Sequence, residues 1–152
     1  MRLSLDTDVA IELIRGRHPH YRSRLQEVLD TGASLHLSSI VFHELMYGAM
    51  ASARPEHHMR LVERLAAEAE VHSWSPDDAM EAARLRVDLR KSGVGIGGFD
   101  ALIAGQALNA DWTLVTGNLR EFLRIRNLPI LYWGDPERPL DRLALMRINP
   151  GK

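Results

Sequence analysis

The chain has 152 residues, with 19 basic against 20 acidic side chains and a formal charge of −1. That length favours one domain with a core large enough to stand without covalent staples, and 45% hydrophobic with 26% charged residues excludes a disordered chain. With no cysteine, a disulfide framework, a thiolate zinc site and an iron–sulfur centre are all excluded. The balanced charge also lacks the basic excess of a dedicated duplex-DNA binder.

The N-terminus opens on a strand, Arg2–Leu5, whose apolar run is stopped by Asp6 and Asp8. This pattern is not a signal peptide, and no apolar run approaches the ~18 residues of a membrane span. A cytoplasmic protein is expected. A helix over 8–15 follows, with Thr7 as its start signal, and then a second over 19–30. Further strands are expected at Ser34–Ser38, Glu70–Trp74, Thr113–Thr116 and Pro129–Tyr132. The remaining helices are expected over 40–52 (starting at Ser39), 56–69, 77–91 (starting at Ser75-Pro76), 100–109 and 119–126 (starting at Asn118). In helix 77–91, Met80, Ala83 and Val87 form one face, joined by Ala82, Leu85 and Leu89, with Asp88 and Lys91 opposite. Strands alternating with helices predict an α/β domain over 1–133, built on a mainly parallel sheet of about five strands. Residues 134–152, with three prolines, predict an irregular extension with one helical turn near 140–146.

Ligands of open α/β sheets sit beyond the carboxyl ends of the strands. Asp6 ends the first strand, Glu44 lies one turn into the helix after the second, and Asp100 opens the helix after a glycine-rich turn. Asn118 and Glu121 follow the strand Thr113–Thr116. Alone, Asp100 reads as a helix cap and Glu121 as a first-turn acid. Asp6 and Glu44 sit in apolar surroundings, where an unpaired carboxylate is costly. Two unit charges 4 Å apart repel by about 4 kcal/mol at an effective dielectric of 20. His43 is the one basic side chain near Glu44, and none is adjacent to Asp6 in the sequence. A divalent cation would hold these acids together, and all-oxygen donors select Mg²⁺, with Mn²⁺ as its substitute.

Other motifs fall away. Gly93-Val94-Gly95-Ile96-Gly97-Gly98 satisfies G-x-G-x-x-G, but a helix rather than a strand precedes it, and no acid stands about 20 residues on. It reads as a turn presenting Asp100. His43-Glu44 begins like H-E-x-x-H without the second histidine. The other histidines show no ligand spacing, and His57-His58 reads as a solvated helix face. Asp6-Thr7-Asp8-Val9 also fits the nucleophile motif of haloacid dehalogenase-like phosphatases, with Thr116 as a second motif, but after Thr116 the sole lysine is Lys152.

Leu5-Asp6-Thr7-Asp8-Val9, Ser38-Ser39-Ile40, Glu44-Leu45-Met46-Tyr47-Gly48-Ala49, Ile96 to Ala104 and Leu114 to Phe122 together resemble the PIN-domain ribonucleases. More narrowly, they are similar to the VapC toxins of bacterial toxin–antitoxin pairs. The resemblance runs from about residue 2 to Trp133. It implies a metal-dependent endoribonuclease acting on RNA, a homodimer, and a VapB-type antitoxin as partner. Asp6, Asp100 and Glu44 correspond to the acids that hold the first Mg²⁺, and Glu121, with Asn118, to the group that orients the attacking water or a second ion. Thr7 and Thr116 would donate to phosphate. Arg120, with Arg84, Arg86, Arg90 and Arg124, would face the RNA backbone. Three departures stand out: Asp8 replaces a usual asparagine, Asn118 replaces a frequent aspartate, and residues 134–152 exceed the usual end. A module that keeps the fold and binds RNA or a partner without cleaving is the second reading.

Overall fold

The computed structural model describes residues 1–137. Five strands, β1 (Arg2–Leu5), β2 (Ser34–Ser38), β3 (Glu70–His72), β4 (Thr113–Thr116) and β5 (Ile130–Tyr132), form one sheet in the order β3-β2-β1-β4-β5. Every pairing is parallel. Seven helices link them: α1 (Thr7–Arg15), α2 (Pro19–Asp30), α3 (Ser39–Met50), α4 (Pro55–Ala67), α5 (Pro76–Lys91), α6 (Gly98–Asn109) and α7 (Leu119–Phe122). The expected α/β class and parallel sheet are what the chain adopts. The helical turn expected near 140–146 lies outside the described residues.

β1 is the central strand, and Leu3 and Leu5 on it are fully buried, as are Leu37 on β2 and Leu114 and Val115 on β4. Both faces of the inner strands are covered, which is why they read as apolar runs rather than strict alternation. The chain runs from β1 outward to β3 on one side and then crosses to β4 on the other. This reversal puts the topological switch point beside β1, where Asp6 emerges.

Local chemistry sets most boundaries. Asp6 caps α1, so this helix begins at Thr7, and Ser38 rather than Ser39 caps α3 by accepting from Ile40 N. Ser75 and Asp78 form a reciprocal capping box at α5. The strand expected over Glu70–Trp74 stops at His72, because Trp74 N turns to Ser39 Oγ at 3.1 Å. The helix expected over 119–126 is one turn long, ending at Phe122, and the following chain turns through Asn127 at φ 62°. No described helix is long and apolar enough to cross a membrane.

Candidate active site

Four segments deliver carboxylates to the switch point. Asp6 is buried, and its position as α1 cap lets Oδ1 accept from Thr7 N at 2.7 Å while Oδ2 accepts from Thr116 Oγ1 at 2.8 Å. Thr116 ends β4, is wholly buried, and in turn accepts from Asn118 N at 2.9 Å. Thr7 Oγ1 donates to Glu44 Oε2, which ties the start of α1 to the second turn of α3. Thus the two threonines expected to face phosphate first hold Asp6 and Glu44 in place.

Asp100 lies in the first turn of α6, whose cap is Gly97. The helix-cap reading of Asp100 therefore does not hold. A methyl group on Gly97 would come within 3.0 Å of Asp100 Oδ2, so the glycine turn leaves room for this carboxylate. Burial raises the Asp100 pKa, and so do Glu121, Glu44 and Asp8 in that order. Asp6 is pushed from 3.8 up to about 8, first by burial and then by the charge of Asp8, against the lowering effect of Thr116 and Thr7. Burial leads both shifts, and the added repulsion places these acids within electrostatic reach of one another.

Asp8 is a fuller participant than its sequence position suggests. Its Oδ1 accepts from Val9 N at 2.7 Å and its Oδ2 from Gly117 N at 3.2 Å, so it bridges α1 to the end of β4. A methyl group at Gly117 would meet Asp8 Oδ2 at 2.8 Å and Tyr21 Oη at 3.2 Å. The i, i+2 spacing of Asp6 and Asp8 carried the signal, and what was missing was the contact with Gly117.

Glu121 stands between two roles, since it raises the Asp100 pKa and also lies 3.7 Å from Arg124 Nη2. Arg124, just past α7, donates to Gly95 O at 2.7 Å, fastening the chain after α7 to the glycine turn rather than presenting itself to a ligand. Asn118 and Arg120 are exposed at the site's rim. Arg84, Arg86 and Arg90 are exposed on α5, with Arg84 3.3 Å from Glu81.

Two expectations about histidine change. His57 and His58 are half-buried rather than solvated, His58 Nδ1 lies 2.6 Å from Ser52 Oγ, and both line a cleft with Glu44, Arg15 and Arg17. His36, Glu70 and His72, which showed no ligand spacing along the chain, are brought together across β2 and β3. Only the sheet register reveals that grouping.

An all-parallel sheet with carboxylates gathered at its switch point, one of them paired with Arg124, has the layout of an open-sheet ligand-binding α/β protein. A model of the PIN domain matches residues 3–128. The chain belongs to the PIN-domain family. Among its relatives, the "tRNA(fMet)-specific endonuclease VapC" of Salmonella typhimurium is 35% identical over 133 residues, covering 88% of this chain and 98% of the relative. "Ribonuclease VapC2" of Rickettsia felis is 33% identical over 129 residues, with 85% and 96% covered. The structure of VapBC2 from Rickettsia felis bound to a promoter DNA fragment superposes with a TM-score of 0.82 at 32% identity, covering 88% of this chain and 99% of that one.

Proposed function

We propose that this chain is a divalent-metal-dependent endoribonuclease, the toxin of a VapBC-type toxin–antitoxin pair. The observation that carries this reading is the group of acids at the switch point, where burial first, and then Asp8 acting on Asp6 and Glu121, Glu44 and Asp8 acting on Asp100, raises the pKa of Asp6 and Asp100. Relatives named as VapC ribonucleases supply the substrate class, and VapBC complexes supply the partner class.

The donors are carboxylate oxygens, which fit Mg²⁺ or Mn²⁺ and not a softer ion. Asp6, Asp100 and Glu44 would hold it. When bound, the ion supplies a lowered water pKa and stabilises charge developing on the phosphate oxygens. The protein's part is positional: Thr116 and Thr7 N orient Asp6, and Thr7 Oγ1 orients Glu44. Glu121, half-buried beside Arg124, would orient the attacking water and accept its proton, with Asn118 on the same segment. In-line attack breaks the bond to the 3′-oxygen, which takes a proton from solvent, and leaves 5′-phosphate and 3′-hydroxyl ends. Arg120 meets the RNA backbone at the rim. A VapB-type antitoxin and a homodimer complete the assembly, in the cytoplasm.

The phosphatase alternative finds no support, since Thr116 Oγ1 is already committed to Asp6 and Asp8 to Gly117 N. The test is cleavage of a structured RNA pool that includes tRNA(fMet). Cleavage should require Mg²⁺, return with Mn²⁺ after chelation, and vanish in Asp100→Asn. Cleavage that persists in EDTA, or in that variant, overturns the proposal. A chain that binds RNA without ever cutting it would support the silent-module reading.

A further inference from the structure

We propose that His36, Glu70 and His72 form a second metal site, one for a transition-metal ion of the Zn²⁺ kind, at the β2–β3 edge of the sheet. This site shares no residue with the acids at the switch point and does not depend on the nuclease assignment.

β2 and β3 run parallel with His36 opposite Glu70 and Ser38 opposite His72. Side chains two apart on a strand share a face, so Glu70 and His72 both stand on the face that carries His36. One ligand atom from each of the three lies within 4.8 Å of the others. His36 Nδ1 is 2.8 Å from His72 Nε2, and Glu70 reaches to 3.8 Å from the first and 3.6 Å from the second. A tetrahedral ion with bonds of about 2.0–2.2 Å holds its donors ~3.3–3.6 Å apart, so Glu70 stands near that separation and the two hydrogen-bonded rings need part by only ~0.5 Å. Two imidazoles and a carboxylate favour Zn²⁺ over Mg²⁺.

The surroundings orient these donors. His36 Nε2 is 2.9 Å from Ser34 Oγ, and the ligating tautomer is the one whose Nε2–H donates there, leaving Nδ1 free to bind. Trp112 stacks on His36 with ring planes 6° apart and meets His72 edge-on, fixing both rings. Burial, His72 and Arg2 lower the His36 pKa against the opposing pull of Glu70. His72 is partly exposed and Glu70 largely so, which provides an entry path. On binding, the ion displaces the proton held between the two ring nitrogens. β3 is a three-residue edge strand, and an ion here pins it to β2 where few ladder hydrogen bonds do so.

The experiment uses the untagged full chain carrying Asp6→Asn and Asp100→Asn, which removes charge from the other crevice. Zn²⁺ alone is titrated by calorimetry and by thermal melting. One Zn²⁺ per chain is expected, with a raised melting midpoint and no competition from excess Mg²⁺. His72→Gln should weaken binding by at least about tenfold. Glu70→Gln, at an exposed side chain that the fold does not need, should weaken it in the same direction. Failure to bind one equivalent overturns the site. So does unchanged affinity in His72→Gln, which would assign the ion to other histidines such as His57 and His58.

Discussion

Asp78 and Asp6 are both buried aspartates, exposed by 3% and 4%, yet their surroundings differ in kind. Asp78 accepts from Ser75 N at 2.7 Å, Gln106 Nε2 at 3.1 Å and Asn109 Nδ2 at 2.9 Å, three donors shared between its two oxygens. It is a structural carboxylate. Asp78→Ala would leave those donors short of partners and should cost about 1–3 kcal/mol, while folded protein keeps its cleavage rate; urea unfolding alongside activity per folded molecule checks both. Asp6 has two donors but also Asp8 pressing against it. Because its folded pKa of about 8 exceeds its ordinary 3.8, the native state holds a proton that the unfolded state has lost between those values. Its contribution to metal-free stability is therefore greatest at low pH and is lost as pH rises from about 4 to about 8. Asp6→Asn should flatten that slope, and saturating Mg²⁺ should flatten it in the wild type by replacing the proton. Melting midpoints across pH in EDTA and in Mg²⁺ check this, and superimposable slopes for wild type and variant would refute it. The same variant, and Asp100→Asn, should abolish RNA cleavage while leaving metal-free stability equal or higher.

At the scale of elements, α5 and α6 pack so closely that Gly105 has no room for a side chain. A methyl group there would sit 2.6–2.7 Å from Ala82 Cβ, Cα and N. Gly105→Ala gains helix propensity of up to ~1 kcal/mol but forces two backbones apart, and overpacking of this sort costs about 1–3 kcal/mol. The urea midpoint should fall, and Ala82→Gly should restore part of the loss by removing the facing methyl. Much of the architecture was readable: β1, β2 and β4 match their expected bounds because buried parallel strands write themselves as short apolar runs between caps. The shortened α7 and β3 were not, because tertiary partners such as Ser39 Oγ ended one of them. For the site, Asp6 was legible as an acid closing a strand, and Glu44 and Asp100 as acids early in helices. The grouping of His36 with Glu70 and His72 was invisible, since one-residue changes in strand register would separate them.

For the molecule as a whole, the carboxylates of the crevice come from α1, α3, α6 and α7, so neutralising them ties together segments on both sides of the switch point. An ion that binds this arrangement only in the folded chain raises global stability by mass action. Asp6, Glu44 and Asp100 would form a tight position, whereas the outer one offers exposed Asn118, with no charge, and Glu121, partly engaged by Arg124. A second cation there should bind less tightly. RNA cleavage should accordingly rise over a wider Mg²⁺ range than the melting midpoint does, because the midpoint reports mainly the tight position. Asn118→Asp should lower the Mg²⁺ needed for half-maximal cleavage, and Glu121→Gln should raise it while hardly moving the midpoint. If Glu121 serves α7 alone, its loss removes a partly exposed i, i+3 pair worth at most ~1 kcal/mol and leaves the Mg²⁺ curve in place. Metal-titrated cleavage rates for both variants, set beside their melting curves, separate the two roles: curves that overlay the wild type would take Asn118 and Glu121 out of the chemistry.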